Sequence, residues 1–521
     1  MCEEKQDHFL FLPKPVDGGV QWIRSLNGGP MQPCNVGIPV DELTKMANKA
    51  PTPGTSKATG PKLHGTISLS LLDRIPVEIF DHIIDHIPYS HLPVAALVAR
   101  SWYASVVHNL YRIVEIDSRE EFNSLAMQLH QSARVQRWAA STEELVIGRP
   151  LSKAHTGPTA YLDVIPAVLS GWLPSLRKLT IQSELRSRMQ PVFYVVLQQF
   201  QQLVSLRLTD AELDSTMSLV RVIRCFPLLK FLALSHLQIA DKEPPAQSRA
   251  PYCDAIRLKS LTLEFVEGKS LEKIVDMLVS SEMCTQLERF TVALKGVIRE
   301  PLQKPTSPEL EGGQIERILK ESGPALKSFR EQNDPAYGLG FPHLSLENNT
   351  DLRYLNLQIY VSLDVDVVPP DIYPEIREKL AQTRVGLHIP AQFGLAQTWA
   401  RGAQELGAEL MAVRSAALEH LVVHVNLTLF DLYLKQDVRA CMDMIANRMH
   451  AKPRPHDAMR RRCFDRLRRV DVVLDMRHDQ LSHDLCAKYT PTSVDPVVRE
   501  LFKPWCERGI VKLSKIFLLN E

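Results

Sequence analysis

Apolar residues follow a helical period in one early stretch of this chain and a strand-then-helix alternation over most of the remainder. From Leu69 to Ile116 the spacing is helical throughout. Ile79, Phe80, Ile83, Ile84 and Ile87 recur at steps of three and four behind Ile75-Pro76 and Glu78. A proline in the first turn loses no helical hydrogen bond, and a carboxylate there faces the positive end of the helix dipole. Pro88 stops that pattern, the turn Tyr89-Ser90-His91 follows, and two further apolar groups complete three short helices: Leu92/Ala95/Ala96/Val98 and Val106/Leu110/Tyr111/Ile113. The first stripe is wider than one internal contact requires, and so short a unit buries little apolar surface alone, which predicts a partner surface. The same spacing also fits an ordinary helical subdomain whose stripe is its own core.

Beyond this stretch one phrase recurs: an apolar residue, two variable positions, then apolar, variable, apolar. It occurs at Leu176/Leu179/Ile181, Leu203/Leu206/Leu208, Leu229/Leu232/Leu234, Leu258/Leu261/Leu263, Leu287/Phe290/Val292, Leu352/Leu355/Leu357, Leu418/Leu421/Val423 and Leu467/Val470/Val472, with a weaker copy at Leu145/Ile147. Between copies lie helical patterns: Val192/Val195/Val196/Gln199, Met217/Val220/Ile223/Arg224, Leu271/Ile274/Val275/Leu278, and a helix over Glu405 to Ala417. The early steps, about 26 to 30 residues, match or just exceed the leucine-rich repeat period. A strand-and-helix solenoid follows, because no single unit can bury its own strand face. A compact α/β domain with accidental spacing is the competing arrangement.

Strand alternation assigns an outer row. If Leu179 and Ile181 point inward, Thr180 and Gln182 point out, as do Arg207, Thr209, Ser235, Thr262, Glu264, Thr291, Asn356, Gln358, His424 and Asp471. These are the expected contacts for a protein partner.

Residues 1–66 read as a tether broken by Gly18-Gly19, Gly28-Gly29-Pro30 and PTPGTSKATGPK. Proline-rich segments at Ala240 to Pro251, Glu300 to Pro308 and Val368 to Pro374 read as surface loops, and Val494 to Trp505 with Ile510 to Leu519 as a terminal cap. A net charge of +1 gives no field that demands nucleic acid or acidic lipid. The nine cysteines never form C-x-x-C, which points to reduced thiols and a cytoplasmic or nuclear protein, and no run reaches membrane-span length. The start of the chain, acidic before a very short apolar patch, does not resemble a secretory signal.

Chemistry-bearing groups are few. His82 and His86 stand at i, i+4 beside Asp81 and Asp85, a spacing metals use, but with no third ligand they read as a solvated helix face; His478 and His483, which flank Asp479 in a turn-like stretch, are no better placed for a metal. Arg460, Arg461, Arg462, Arg466, Arg468 and Arg469 form the densest basic patch, interleaved with Asp457, Asp465, Asp471 and Asp475, and read as a solvated helix before a strand. No nucleophile elbow, phosphate-cradling glycine loop, dinucleotide fingerprint or H-E-x-x-H helix occurs, so catalysis is not expected.

The early helices resemble the F-box family. The match lies in Leu72, Ile75-Pro76, Glu78, Ile83, Ile87, Leu92, the run Val98-Ala99-Arg100-Ser101-Trp102 and Leu110-Tyr111, with Ile75 in place of the commoner Leu and Pro93 after Leu92. In architecture the whole chain is similar to F-box proteins, fungal-type among them, whose C-terminal domain is built of leucine-rich repeats, although it lacks their Asn or Cys landmarks. The resemblance implies an α/β chain with a short all-α three-helix F-box at 67–116, an irregular leucine-rich-repeat solenoid of parallel strands and helices at 117–475, and a capping segment at 476–521. It implies a non-enzymatic substrate receptor of a Skp-cullin-F-box ubiquitin ligase, without cofactor or metal. Leu72, Ile75, Pro76, Ile79, Ile83, Ile84, Leu92, Val98 and Trp102 would bind the Skp-type adaptor and, through it, the cullin, while the repeats hold a protein substrate. The alternative is a non-degradative interaction scaffold with an F-box-like helical module.

Overall fold

A computed structural model describes residues 11–16, 19–24, 32–33, 76–148, 162, 164–182, 191–240, 256–266, 268–293, 308–332, 344–361, 395–427, 455–475 and 494–516. The expected loops at 241–251, 300–307 and 368–374, and His478 and His483, lie outside them. Within the expected tether, β1 (Phe11–Val16) and β2 (Gly19–Arg24) pair antiparallel, and β3 (Gln32–Pro33) joins β2. The register sets Val16 opposite Gly19. Gly19, read as part of a break, thus opens a strand.

The chain divides into two compact units, one ending at Val146 and including Trp172–Leu176, the other formed by Ile147–Gly171 and Arg177–Glu521. The first holds α1 (Val77–Asp85), α2 (Leu92–Val98), α3 (Arg100–Arg112), β4 (Ile113–Ile116), α4 (Arg119–Gln131), α5 (Ala133–Ala139) and most of β5 (Glu144–Ile147). Pro76 caps α1, as its fixed φ allows, and Ser118 caps α4 by accepting the Glu121 N–H while the Glu121 carboxylate accepts the Asp117 N–H, in the manner of a capping box. Ile84, Leu92, Ala95, Ala96 and Val106 form the internal core of the three helices, with Ile87, Trp102, Tyr103 and Leu110 against it.

The second unit is α/β. Its elements are α6 (Ile165–Leu169), β6 (Lys178–Gln182), α7 (Pro191–Leu197), β7 (Ser205–Thr209), β8 (Glu212–Leu213), α8 (Thr216–Arg224), β9 (Phe231–Ser235), β10 (Gln238–Ile239), β11 (Ser260–Glu264), α9 (Gly268–Ser280), β12 (Arg289–Ala293), α10 (Pro308–Ser322) and β13 (Ser328–Glu331). They continue as β14 (Tyr354–Val361), α11 (Leu395–Ala412), β15 (His420–Leu427), α12 (Pro455–Met459), β16 (Arg469–Asp475), α13 (Val494–Leu501), α14 (Lys503–Glu507) and β17 (Val511–Ile516). All strands from β6 onward, apart from the short β8 and β10 that pair with each other, lie in one parallel sheet in chain order. The recurring phrase explains this order. Leu179, Leu206, Leu232, Leu261, Phe290, Phe329, Leu355, Leu421 and Val470 fall in one register row, all buried, and each burial stabilises by roughly 1.5–3 kcal/mol relative to exposure.

Two strands escape the phrase. In β13 the third apolar position is Glu331, and β17, which the sequence suggests is part of a cap, pairs in parallel with β16 as a further repeat strand. One helix buries a different face from the one its valines suggest. Phe193 and Leu197 of α7 are inside, whereas Val192 and Val195 are exposed, since the larger i, i+4 pair removes more apolar area from water. In α9 Leu271, Ile274, Val275 and Leu278 are all fully buried, as expected. Helix α11 begins ten residues before Glu405 and ends at Ala412, where a turn takes over and Ser415 Oγ donates to the Leu352 carbonyl at 2.7 Å.

Backbone bonds tie the repeats together at both strand ends. Before each strand one carbonyl accepts two N–H groups of the next repeat: Arg177 O takes Val204 and Ser205, Val204 O takes Lys230 and Phe231, and the arrangement continues through Lys230, Lys259, Glu288, Lys327, Arg353 and Glu419. After the strands, Asp210, His236 and Phe265 adopt φ of 53°, 50° and 53°, and their N–H groups bond Ser235 O, Glu264 O and Ala293 O of the following repeat. The next residues, Ala211, Leu237 and Val266, are buried where leucine-rich repeats usually carry Asn or Cys.

Asn349 performs a related task at a helix end. Its Nδ2 donates to the Leu319 and Gly323 carbonyls, both at 2.9 Å, where α10 stops and Gly323 turns into the left-handed region. Asn349→Ala removes both bonds, leaving the Leu319 carbonyl to Ser322 Oγ and the Gly323 carbonyl to the Leu326 N–H, and should cost about 1–3 kcal/mol in denaturant unfolding, whereas Asn348→Ala, at the exposed neighbouring position, should change stability by no more than about 0.5 kcal/mol.

Candidate functional site

Two surfaces, one in each unit, hold the residues singled out in the sequence. In the first unit, the wide stripe of α1 splits. Phe80 and Ile84 turn inward, Phe80 with its ring centroid 6.0 Å from that of Trp102, while Ile79 and Ile83 stay 50% and 43% exposed. His82, Asp85 and His86 are exposed, as a solvated face requires, and Asp81 is half-buried; Asp81 and Asp85 also bind Ser105 Oγ and Asn109 Nδ2 of α3 and so fix which face of α1 is internal. Helix α2 divides the same way: Leu92, Ala95 and Ala96 are buried, and Val94, Leu97 and Val98 are 64%, 71% and 64% exposed.

The expected adaptor set therefore separates into groups. Pro76, Ile79, Ile83 and Val98 are exposed. Ile84 at 1% and Leu92 at 3% exposure are core residues and are corrected out of the set, because a side chain sealed under α3 cannot touch a second molecule. Trp102 is half-buried against the core, and its indole N–H finds no acceptor among the described residues. Leu72 and Ile75 lie outside the described residues. Val94 and Leu97 are exposed apolar residues that sequence reading did not single out; their i, i+3 spacing opposite Leu92, Ala95 and Ala96 is the signal that marks them.

On the sheet, the outer positions do align. Thr180, Arg207, Thr262, Thr291, Asn356 and Asp471 occupy one register row, and Gln182, Thr209, Ser235, Glu264, Gln358 and His424 the next. Arg207 is exposed, and Gln182, Thr209, Thr262, Glu264, Thr291 and His424 are half-buried. Thr180, Ser235, Asn356, Gln358 and Asp471 are buried, so they are not direct contacts. Short side chains on strands about 4.8 Å apart are shielded by longer neighbours. The Arg207–Glu264 ion pair, 3.1 Å long, bridges β7 and β11 across β9, which carries Ser235.

Asp471 is held by two donors, His420 Nε2 and Arg469 Nε, each 2.7 Å from Oδ2, and the His420 ring meets Tyr354 edge to face at 5.1 Å. Burial alone pushes the Asp471 carboxyl up, but the hydrogen bonds from Arg469 and His420 together outweigh it and hold the group below the ordinary carboxylate range. The arginine cluster is likewise dispersed. Arg461 donates to the Leu410 and Met411 carbonyls at the end of α11, and Arg469 serves Asp471. Among the described residues no group of three His, Cys, Asp or Glu is placed to hold a metal, and His86 Nδ1 is occupied by the His82 carbonyl at 2.8 Å. Burial pushes the Cys225 and Cys284 thiols up to about 12, far from thiolate at neutral pH. No helix among the described residues is long and apolar enough to cross a membrane.

A carboxyl whose folded pKa is depressed stabilises the fold above its unfolded pKa, near 3.9, and loses that contribution as pH falls through the folded value. Wild-type stability should therefore decline as pH drops below about 4, and Asp471→Asn should be less stable at pH 7 and show a shallower decline over the same window. Urea unfolding across pH 2–7 measures both; parallel curves for the two proteins would contradict the assignment.

No protein-family model matches the chain, and no curated protein matches it.

Proposed function

We propose that this chain is a non-enzymatic substrate receptor of a Skp-cullin-F-box type ubiquitin ligase, working in the cytoplasm or nucleus. Helices α1 to α3 are its F-box and grip the adaptor; the leucine-rich-repeat-like sheet holds the target protein, and other subunits transfer ubiquitin. One observation carries the reading. Ile79, Ile83, Val94, Leu97 and Val98 are exposed on helices whose own core is already closed by Ile84, Leu92, Ala95, Ala96 and Val106. Apolar side chains on so small a unit bring no stability where they stand, and covering each would contribute about 1.5–3 kcal/mol. The order Pro76, Glu78, Leu92, Val98 to Trp102 gives that surface its kinship with the F-box.

The receptor's contribution to rate is positional. A target tethered beside the charged conjugating enzyme meets it at a raised effective concentration, without any reacting group in this chain.

Purified full-length chain should capture a Skp-type adaptor, and Ile83→Asp with Leu97→Asp should weaken capture by at least about 10-fold, the equivalent of 1.4 kcal/mol, without moving the melting temperature by more than about 2 °C. Capture indifferent to both substitutions would exclude this face as the adaptor site. A target whose half-life is unchanged when the chain is deleted would favour the scaffold over the ligase receptor.

A further inference from the structure

The sheet concentrates positive charge along one edge. The residues that open β6, β7, β9 and β11 to β16 are in register with one another, and the residues just before them form a second row fixed by the shared carbonyls. Lys or Arg fills nine of the eighteen positions in these two rows and Glu only two, in a chain whose net charge is +1. The edge is thus strongly basic while the rest of the molecule is net acidic.

Some of these cations already have partners. Lys259 and Lys327 flank Glu288 at 3.0 and 3.5 Å from the adjacent strands, Arg469 holds Asp471, and Arg289 lies over the Phe231 ring, 5.5 Å from its centroid. Arg177, Lys230, Arg353 and Arg468 are exposed and have no ion-pair partner among the described residues. Their backbone groups are engaged between repeats, so the edge offers fixed side-chain charge and no open strand to pair with.

Resting on the reading of the sheet as the target-holding surface, we propose that this edge binds an extended, Asp/Glu-rich segment of the target, lying across the strands with its carboxylates on Lys230, Arg353 and Arg468. Nine strands about 4.8 Å apart span roughly 40 Å, the length of about a dozen residues of extended chain. Polypeptide fits better than nucleic acid. The aromatic rings in these rows are all engaged, Phe231 by Arg289, and Tyr354 and His420 by each other, which leaves no platform for stacked bases.

The test uses the full-length chain and a labelled twelve-residue peptide alternating Glu with Ser, read by fluorescence anisotropy. Binding should weaken at least about 10-fold between 50 and 200 mM salt, and by at least about 10-fold in the triple variant Lys230→Glu, Arg353→Glu, Arg468→Glu. These positions are exposed and outside the core, so circular dichroism melting should match wild type; if the triple variant melts early, the single variants replace it. Affinity unchanged by the charge reversals would overturn the proposal, and so would tighter binding of a single-stranded oligonucleotide of matched charge. Adaptor capture, measured separately, distinguishes the failures: peptide binding without capture removes the ligase reading alone, and capture without peptide binding removes this inference alone.

Discussion

Between Arg177 and Arg469 the repeats depend on a shared acceptor. One carbonyl at the start of each strand takes two N–H groups from the repeat that follows, at 2.8 to 3.3 Å, so no repeat in this run satisfies its own backbone. Burying the inward leucines demands close strands, and close strands remove water from the connecting backbone, whose polar groups must then find partners in the neighbouring unit. The left-handed residues Asp210, His236 and Phe265 answer the same demand at the other strand end. A non-glycine residue at positive φ costs on the order of 1 kcal/mol, and the three tolerate it while their N–H groups reach across to the next strand.

That shared arrangement also explains why apolar residues can stand where leucine-rich repeats keep Asn or Cys. A polar landmark satisfies backbone groups in the turn after the strand. Here the N–H groups of Asp210, His236, Gln238 and Ala240 are taken by carbonyls of the adjacent repeat, and Ala211, Leu237 and Val266 extend the core instead. Where a polar side chain is needed it appears before the strand, in Asn349 and Ser415, each bonded to a main-chain carbonyl.

The strands were legible because inward positions repeat with period two and little else competes for them; eight copies of the phrase became strands in sequence order. β13 was hidden by a single residue, Glu331, since a pattern built on apolar positions is blind to a buried carboxylate. Faces were harder than elements. Ile79, Phe80, Ile83 and Ile84 look alike in sequence, and what sends Phe80 and Ile84 inward includes polar bonds of Asp81 to Ser105 and Asp85 to Asn109, twenty-four residues away. Likewise, outer sheet positions could be assigned by alternation, but whether a short Ser235 or Asn356 reaches solvent depends on the neighbours beside it, which no local pattern encodes.

The two proposed surfaces draw on different forces, and this bears on how one chain would serve two partners. Covering Ile83, Val94 and Leu97 gains from the removal of apolar area from water, an effect that moderate salt leaves nearly intact. Contacts to Lys230, Arg353 and Arg468 would be exposed charge pairs, each small and screened within about 10 Å at 0.1 M ionic strength. An apolar grip suits a partner that stays bound across many rounds, whereas a set of weak charged contacts suits one that arrives by long-range attraction and leaves once altered. A receptor must release each target while keeping its adaptor, and in the proposed role that difference in force would let one association turn over without loosening the other.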